Sequence, residues 1–271
     1  MEWDEFSRFE FWEHLVDCGS QIMCGIVGYT GLRPAVPILL NGLKRLEYRG
    51  YDSAGIALQA DGALLVEKRE GKVSGLVDAL GSSGLGEALD GATCGIAHTR
   101  WATHGAPTQK NAHPHVSRSH IALVHNGIVE NHADLREKLK GEGYEFISET
   151  DTEVLVHLVE SHYEGDLLEA LTSALQVVEG TFGIACVAAE EPGVMVIARR
   201  GSPIVIGLGE EETIVASDAS AIIKHTRQVI YLDDNDVARI AGGEVNIRSR
   251  DARPGTARTA GLGWASAAPG R

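Results

Sequence analysis

The sequence predicts an α+β fold built on antiparallel sheets, and three observations carry that prediction. Short runs of β-type residues recur from residue 25 onward. Helical periodicity appears between only some of them, so the helices form separate clusters and do not alternate strictly with strands. The chain has 271 residues, 44% of them hydrophobic, which suffices for one large domain or two small ones and differs from a disordered or fibrous composition.

Taken in order, the first 22 residues are rich in Glu, Asp, Phe and Trp and differ in composition from the rest of the chain. Residues 1–23 are read as an N-terminal extension, an upstream over-read of the start being favoured over a propeptide. Strands are expected at residues 25–29, 54–58, 64–68, 93–98, 121–125, 183–188, 194–199, 204–206 and 213–216, where apolar and β-branched residues cluster. Helices are expected at 36–46, 133–140, 152–163 and 167–178. Thr150 or Asp151 is suited to cap the third of these, with Glu153 in its first turn. The glycine- and serine-rich run 81–86 reads as a flexible loop. The main domain is therefore assigned to residues 24–247. The remainder, 248–271, turns to Gly, Ala, Ser and Pro without periodicity and is expected to be disordered. There is no internal repeat.

Charge and cysteine usage narrow the function classes. Lys and Arg number 24 against 38 Asp and Glu, a net charge of −14, the opposite of a phosphate-binding footprint, so nucleic acid is not an expected partner. Cys18, Cys24, Cys94 and Cys186 are widely spaced and match neither a disulfide framework nor a zinc knuckle, which points to a reduced, cytoplasmic setting. Cys94 and Cys186 sit in apolar runs and read as small core residues. No apolar stretch approaches the roughly 20 residues that span a bilayer, and the acidic, aromatic N-terminus is unlike a secretory signal.

The chemistry concentrates in a few blocks. Cys24 opens the run Cys24-Gly25-Ile26-Val27-Gly28-Tyr29 directly after Met23. A cysteine that becomes residue one carries a free α-amine with an ordinary pKa of about 7.7–8.0, so nucleophile and base come from one residue. Bonded to Met23, that nitrogen is no base. Catalysis by Cys24 therefore requires either translation from Met23 with removal of the methionine, or cleavage of residues 1–23.

Three further blocks place polar groups where strands end. Tyr48-Arg49-Gly50-Tyr51-Asp52-Ser53 offers an Arg–Asp pair, catalytic or structural. His98-Thr99-Arg100-Trp101-Ala102-Thr103-His104 offers a guanidinium suited to bidentate capture of a carboxylate. His125-Asn126-Gly127 offers a side-chain amide and a backbone N–H that can converge as an oxyanion hole, although Asn-Gly also marks hairpin turns. In Ser148-Glu149-Thr150-Asp151-Thr152-Glu153, helix capping accounts for two carboxylates at most. A zwitterionic amino acid needs an Arg for its carboxylate and an Asp for its ammonium, and Arg100 with Asp151 supply both. The histidines at 98, 104, 113, 115, 120, 125 and 132 lack metal-ligand spacing, so no metal site is assigned. No phosphate-binding glycine motif is present either, and no cofactor is expected.

Taken together, these blocks resemble the glutaminase domains of the class II, N-terminal-nucleophile glutamine amidotransferases. The motifs occur in the family's order over roughly residues 24–247. Trp-Ala-Thr-His after Arg100, where the phosphoribosyl-pyrophosphate branch typically has Tyr-Ser, is similar to the amino-sugar branch, the isomerizing glutamine:fructose-6-phosphate aminotransferases. The resemblance implies a four-layer αββα sandwich of two antiparallel sheets flanked by helices, the N-terminal-nucleophile hydrolase fold. It implies Cys24 as nucleophile, its freed amine as base, and Asn126 with Gly127 as oxyanion hole. Arg100 would take the carboxylate of L-glutamine and Asp151 its ammonium. Trp101, Thr103, His104 and His113 would line or close the site, with Arg49 beside the nucleophile.

The family continues into two sugar-isomerase domains that bind fructose-6-phosphate, and these are not expected in this chain, whose end reads as truncated or frameshifted. The expected activity is glutamine hydrolysis, with a homodimer left open. A glutaminase subunit serving another acceptor, or a glutamine-binding module held inactive by its leader, are the alternatives.

Overall fold

The computed structural model describes residues 24–84, 86–101 and 105–249 together with the backbone of residues 258 and 259; the side chain of Arg49 is outside the described set. Two seven-stranded antiparallel sheets face one another, with helices on both outer faces. This is the four-layer αββα arrangement of the N-terminal-nucleophile hydrolases.

The first sheet takes β1 (Gly25–Gly31), β2 (Ser53–Ala60), β3 (Ala63–Glu70), β4 (Cys94–Arg100), β9 (Val205–Leu208), β10 (Glu212–Ala216) and β11 (Val229–Tyr231), in the spatial order β11-β9-β10-β1-β4-β2-β3. The central strand β1 is buried along nearly its whole length. The second sheet takes β5 (His115–Ser117), β6 (Ile121–Val129), β7 (Gly180–Ala188), β8 (Met195–Arg200), β12 (Asp236–Ala241), β13 (Glu244–Ser249) and β14 (Arg258–Thr259), in the order β14-β13-β12-β8-β7-β6-β5. Strand alternation sends one set of side chains between the sheets, where Ile26, Ile96, Val124, Ala185, Ile197 and Val215 form the inner core.

The outer faces bury two further cores. Helix α1 (Ala35–Leu46) places Ile38, Leu39, Leu43 and Leu46 on one stripe at three- and four-residue spacing, and these pack with Val27, Tyr29, Ile56 and Ala97 of the first sheet. Helices α2 (Val73–Ser82) and α3 (Gly86–Gly91) complete that layer. On the second sheet lie α4 (His132–Gly141), α5 (Asp151–Ser161) and α6 (Leu167–Leu175), whose apolar faces meet Leu123, Phe182 and Ile184. Thr150 caps α5 by accepting from the Glu153 N–H at 3.3 Å, and Asp166 caps α6 by accepting from the Glu169 N–H at 3.1 Å.

Each expected strand and helix is present, with ends shifted by up to four residues, the largest shift being at the end of β6. The run 81–86 differs from the expected loop, since Gly81 and Ser82 finish α2 and Gly86 opens α3. The expected tail also differs: β13 extends to Ser249, and Arg258–Thr259 pair with Asn246 and Ile247. The extension 1–23 lies outside the described residues.

Candidate active site

Cys24 immediately precedes β1, and the pairing of Gly25 with Thr99 sets it beside Arg100 at the end of β4. The thiol sulfur accepts a hydrogen bond from the Trp101 N–H at 3.2 Å and lies 3.6 Å from the Trp101 carbonyl. Burial pushes the Cys24 thiol above its ordinary range, opposed by the Trp101 N–H and the Arg100 guanidinium. A thiol held protonated in this way needs a base to become a nucleophile.

Asn126 reaches the same point from the opposite sheet. Its Nδ2 donates to the Cys24 carbonyl at 2.9 Å, and its Oδ1 lies 3.0 Å from His98 Nε2. Gly127 comes next with φ of +132°, where an added Cβ would lie 2.2 Å from the Thr181 carbonyl oxygen, so no other residue fits there. Arg100 is buried, with its guanidinium 3.4 and 3.5 Å from the carbonyls of Ala106 and Gly105. The 105–112 segment is itself tied down from two sides. Glu149 accepts from the Ala106 N–H and the Asn111 amide, while Lys68 donates to the Ala112 carbonyl at 2.9 Å. Those donors, first the Asn111 amide, hold the Glu149 carboxyl below its ordinary range.

Behind the two sheets' meeting point sits a cluster of four buried imidazoles, His98, His113, His115 and His125. Burial lowers all four, His98 to about 3, so all are neutral at pH 7. They are engaged by protein partners: His113 Nε2 and His125 Nδ1 both reach Thr152 Oγ1, at 2.8 and 3.2 Å, and His115 Nε2 reaches Thr150 Oγ1 at 3.0 Å. Thr152, absent from the residues that the sequence pattern singles out, joins the histidines to the start of α5. The available signal for it is its position between Asp151 and Glu153, where a β-branched hydroxyl is not needed for capping.

The carboxylates at the start of α5 divide by role. Glu153 accepts from the N–H groups of Ile147 and Ser148 and from the Ser148 hydroxyl, a loop-closing function. Asp151 is buried and accepts from the Val129 N–H at 2.8 Å through Oδ2, and its charge acts on His125. The geometry thus assembles Cys24, Arg100 and Asn126 directly, with Gly127 next in line on β6 and Asp151 joined to that strand's end. Trp101 contributes its backbone and leaves its ring half-exposed. His113 lies among the buried histidines. Arg49 belongs to the short 3-10 turn Glu47–Arg49 before β2. Thr103 and His104 lie outside the described residues.

Comparison with known proteins matches residues 74–251 to a glutamine amidotransferase domain. The isomerizing glutamine–fructose-6-phosphate aminotransferase of Thermus thermophilus is 52% identical over 243 residues, 89% of this chain and 39% of that protein. The Chlorobaculum tepidum protein of the same description is 52% identical over 232 residues, covering 84% and 37% respectively. The chain thus spans under two-fifths of the length of these relatives. Among solved structures, the glutamine phosphoribosylpyrophosphate amidotransferase of B. subtilis, complexed with ADP and GMP, superposes with a TM-score of 0.68 at 25% identity, over 85% of this chain and 50% of that one.

Proposed function

This chain belongs to the glutamine amidotransferase domain family, and from that premise we propose that it hydrolyses L-glutamine to glutamate and ammonia through a γ-glutamyl thioester on Cys24. The observation that carries the reading is the meeting of Cys24 with Asn126 across the two sheets, beside the buried Arg100.

The steps follow from the groups present. With Cys24 as the first residue, its α-amine takes the thiol proton, and Sγ attacks the side-chain carbonyl carbon of glutamine. An Asn126 Nδ2 hydrogen and the Gly127 N–H stabilise the resulting oxyanion, each such donor contributing a factor of roughly 10²–10³ to kcat in known hydrolases. Collapse breaks the C–N bond, and the departing nitrogen takes the proton held by the amine and leaves as ammonia. Water, deprotonated by the same amine, then cleaves the thioester and releases glutamate. Arg100 pairs with the α-carboxylate and Asp151 with the α-ammonium, which selects a free amino acid over a peptide. Trp101, Thr103 and His104 line or close the site, Arg49 flanks the nucleophile, and His113, buried against His98 and Thr152, backs the site without lining it. No step calls on a metal or cofactor.

The aminotransferase relatives support a finer reading, in which the ammonia serves amino-sugar formation from fructose-6-phosphate bound by isomerase domains. The 52% identity to that branch, against 25% to the phosphoribosylpyrophosphate enzyme, favours it over service to another acceptor. We propose a cytoplasmic location from the widely spaced cysteines, which match no disulfide framework.

The test is ammonia release from glutamine by a form that begins at Cys24, beside the chain retaining residues 1–23 and Cys24→Ala. Hydrolysis is expected only in the first. Equal turnover by folded Cys24→Ala would sink the mechanism.

A further inference from the structure

The hydrogen bonds behind the site have a direction, because two of them end on backbone carbonyls, which only accept. Asn126 Nδ2 donates to the Cys24 carbonyl at 2.9 Å, so the amide oxygen of Asn126 is the atom turned to His98, 3.0 Å away. An amide oxygen only accepts, so the proton of neutral His98 is on Nε2. The same logic runs through the neighbouring chain of bonds. His125 Nε2 faces the Thr181 carbonyl at 3.3 Å and carries the proton, leaving Nδ1 to accept from the Thr152 hydroxyl. Thr152 Oγ1 then accepts from His113 Nε2 at 2.8 Å, and His113 Nδ1 is buried without a hydrogen-bond partner among the described residues. The His113 ring packs against His98 with centroids 4.1 Å apart.

We propose that His98 is a positioning residue of the oxyanion hole: its Nε2–H holds the Asn126 amide with Nδ2 toward Cys24, and the His113–Thr152–His125 chain holds the His98 ring. The proposal rests on the reading of Asn126 as an oxyanion donor. An amide nitrogen has two hydrogens, so Asn126 can keep its bond to the Cys24 carbonyl and still offer one to the oxyanion. A flipped amide would set two donors facing each other at His98 and two acceptors at Cys24. His98 therefore excludes the arrangement in which an oxygen would meet the oxyanion. It touches neither the thiol nor the substrate, and its influence passes wholly through Asn126.

The experiment compares His98→Leu and His98→Gln with the wild type, in the form that hydrolyses glutamine. In His98→Leu the ring's volume is kept and the donor lost, so kcat is expected to fall roughly 10- to 100-fold, part of the full value of an oxyanion donor, with KM for glutamine within about twofold. Gln restores an N–H donor on a similar reach and should recover most of kcat. An unchanged kcat in His98→Leu, a loss confined to KM, or a Gln variant as slow as the Leu variant would overturn the proposal, the last because it would assign the loss to packing.

Nitrogen-15 NMR of the wild type gives a readout independent of turnover and of whether His98→Leu folds. His98 must carry its proton on Nε2, and the Asn126 amide protons must exchange slowly. A proton on Nδ1 defeats the proposal even if the enzyme is active. If the form beginning at Cys24 releases no ammonia, the glutaminase reading fails, while the spectrum still decides whether His98 orients Asn126.

Discussion

Helices α1 and α5 each cover the outer face of one sheet, α1 over the central strands β1 and β4 and α5 over β6 and the edge strand β5, and they bury different things. The buried face of α1 is apolar apart from Gly42, built from Ala35, Ile38, Leu39, Leu40, Leu43 and Leu46, and the helix starts after Pro34 without a side-chain cap. In α5 nine of eleven residues are buried, and they include Asp151, Thr152, Glu153 and His157. Burying polar groups costs free energy unless each finds a partner, and here each does. Glu153 binds the 147–148 loop, Thr152 binds two histidines, and His157 Nδ1 binds Ser117 Oγ at 2.8 Å. The difference separates a layer that only stabilises from one that also fixes the orientation of polar groups.

Acid should break the comparison first and furthest. His98, His113, His115 and His125 have folded pKa values lowered by burial, while in the unfolded chain they titrate near 6.5. Below pH 6.5 the unfolded state binds more protons, so stability present at neutral pH is lost as pH falls from about 6.5 toward about 3 for His98. Each group contributes up to ~1.4 kcal/mol per pH unit in that window, against a total stability of ~5–15 kcal/mol. Urea midpoints should therefore drop steeply between pH 6.5 and 5. Hydrogen exchange over the same range should show α5 losing protection before α1, and equal loss in both helices would erase the distinction drawn between them.

The apolar layer gives the next largest effect. Leu39 is fully buried in α1 against the first sheet, so Leu39→Ala removes packed methyl groups and leaves a cavity, costing ~2–5 kcal/mol. Because α1 carries no polar group of the site, kcat/KM per folded molecule should stay within about twofold. Chemical denaturation and initial rates on the same preparation decide it; a drop in kcat/KM larger than the drop in folded fraction would mean that the apolar layer also tunes the chemistry.

The same contrast explains what was legible in the sequence. α1 could be read because a structural helix has to repeat its apolar stripe, and Ile38, Leu39, Leu43 and Leu46 do so. The start of α5 was readable through Thr150 and Glu153, and the site through its blocks of polar residues at strand ends. Short or glycine-interrupted elements left no such signal: β5 has three residues, and α2 and α3 lie in a run broken by Gly75, Gly81, Gly84 and Gly86. The hairpin from β12 to β13 did leave one, the pair Gly242-Gly243, both at positive φ as a tight two-residue turn needs. The pairing of Asn126 with His98 was not legible, because it joins residues from two sheets whose relative placement no local pattern encodes.

Asp151 gives the smallest change in free energy and the sharpest separation of the two roles. Asp151→Asn keeps the side chain's shape and an oxygen able to accept from the Val129 N–H, so the cap region and α5 should hold, with stability altered by less than ~1 kcal/mol. What it removes is the negative charge offered to the ammonium of glutamine. A hydrogen bond to a charged partner is worth ~1.5–3 kcal/mol, so KM for glutamine should rise roughly 10- to 150-fold with kcat much less affected. Steady-state kinetics beside a thermal melt read both numbers. If the melt moves by many degrees while KM stays fixed, then the buried carboxylate of α5 serves the fold as Leu39 does, and the polarity of that helix has to be explained by His98, His113 and Thr152 without substrate binding.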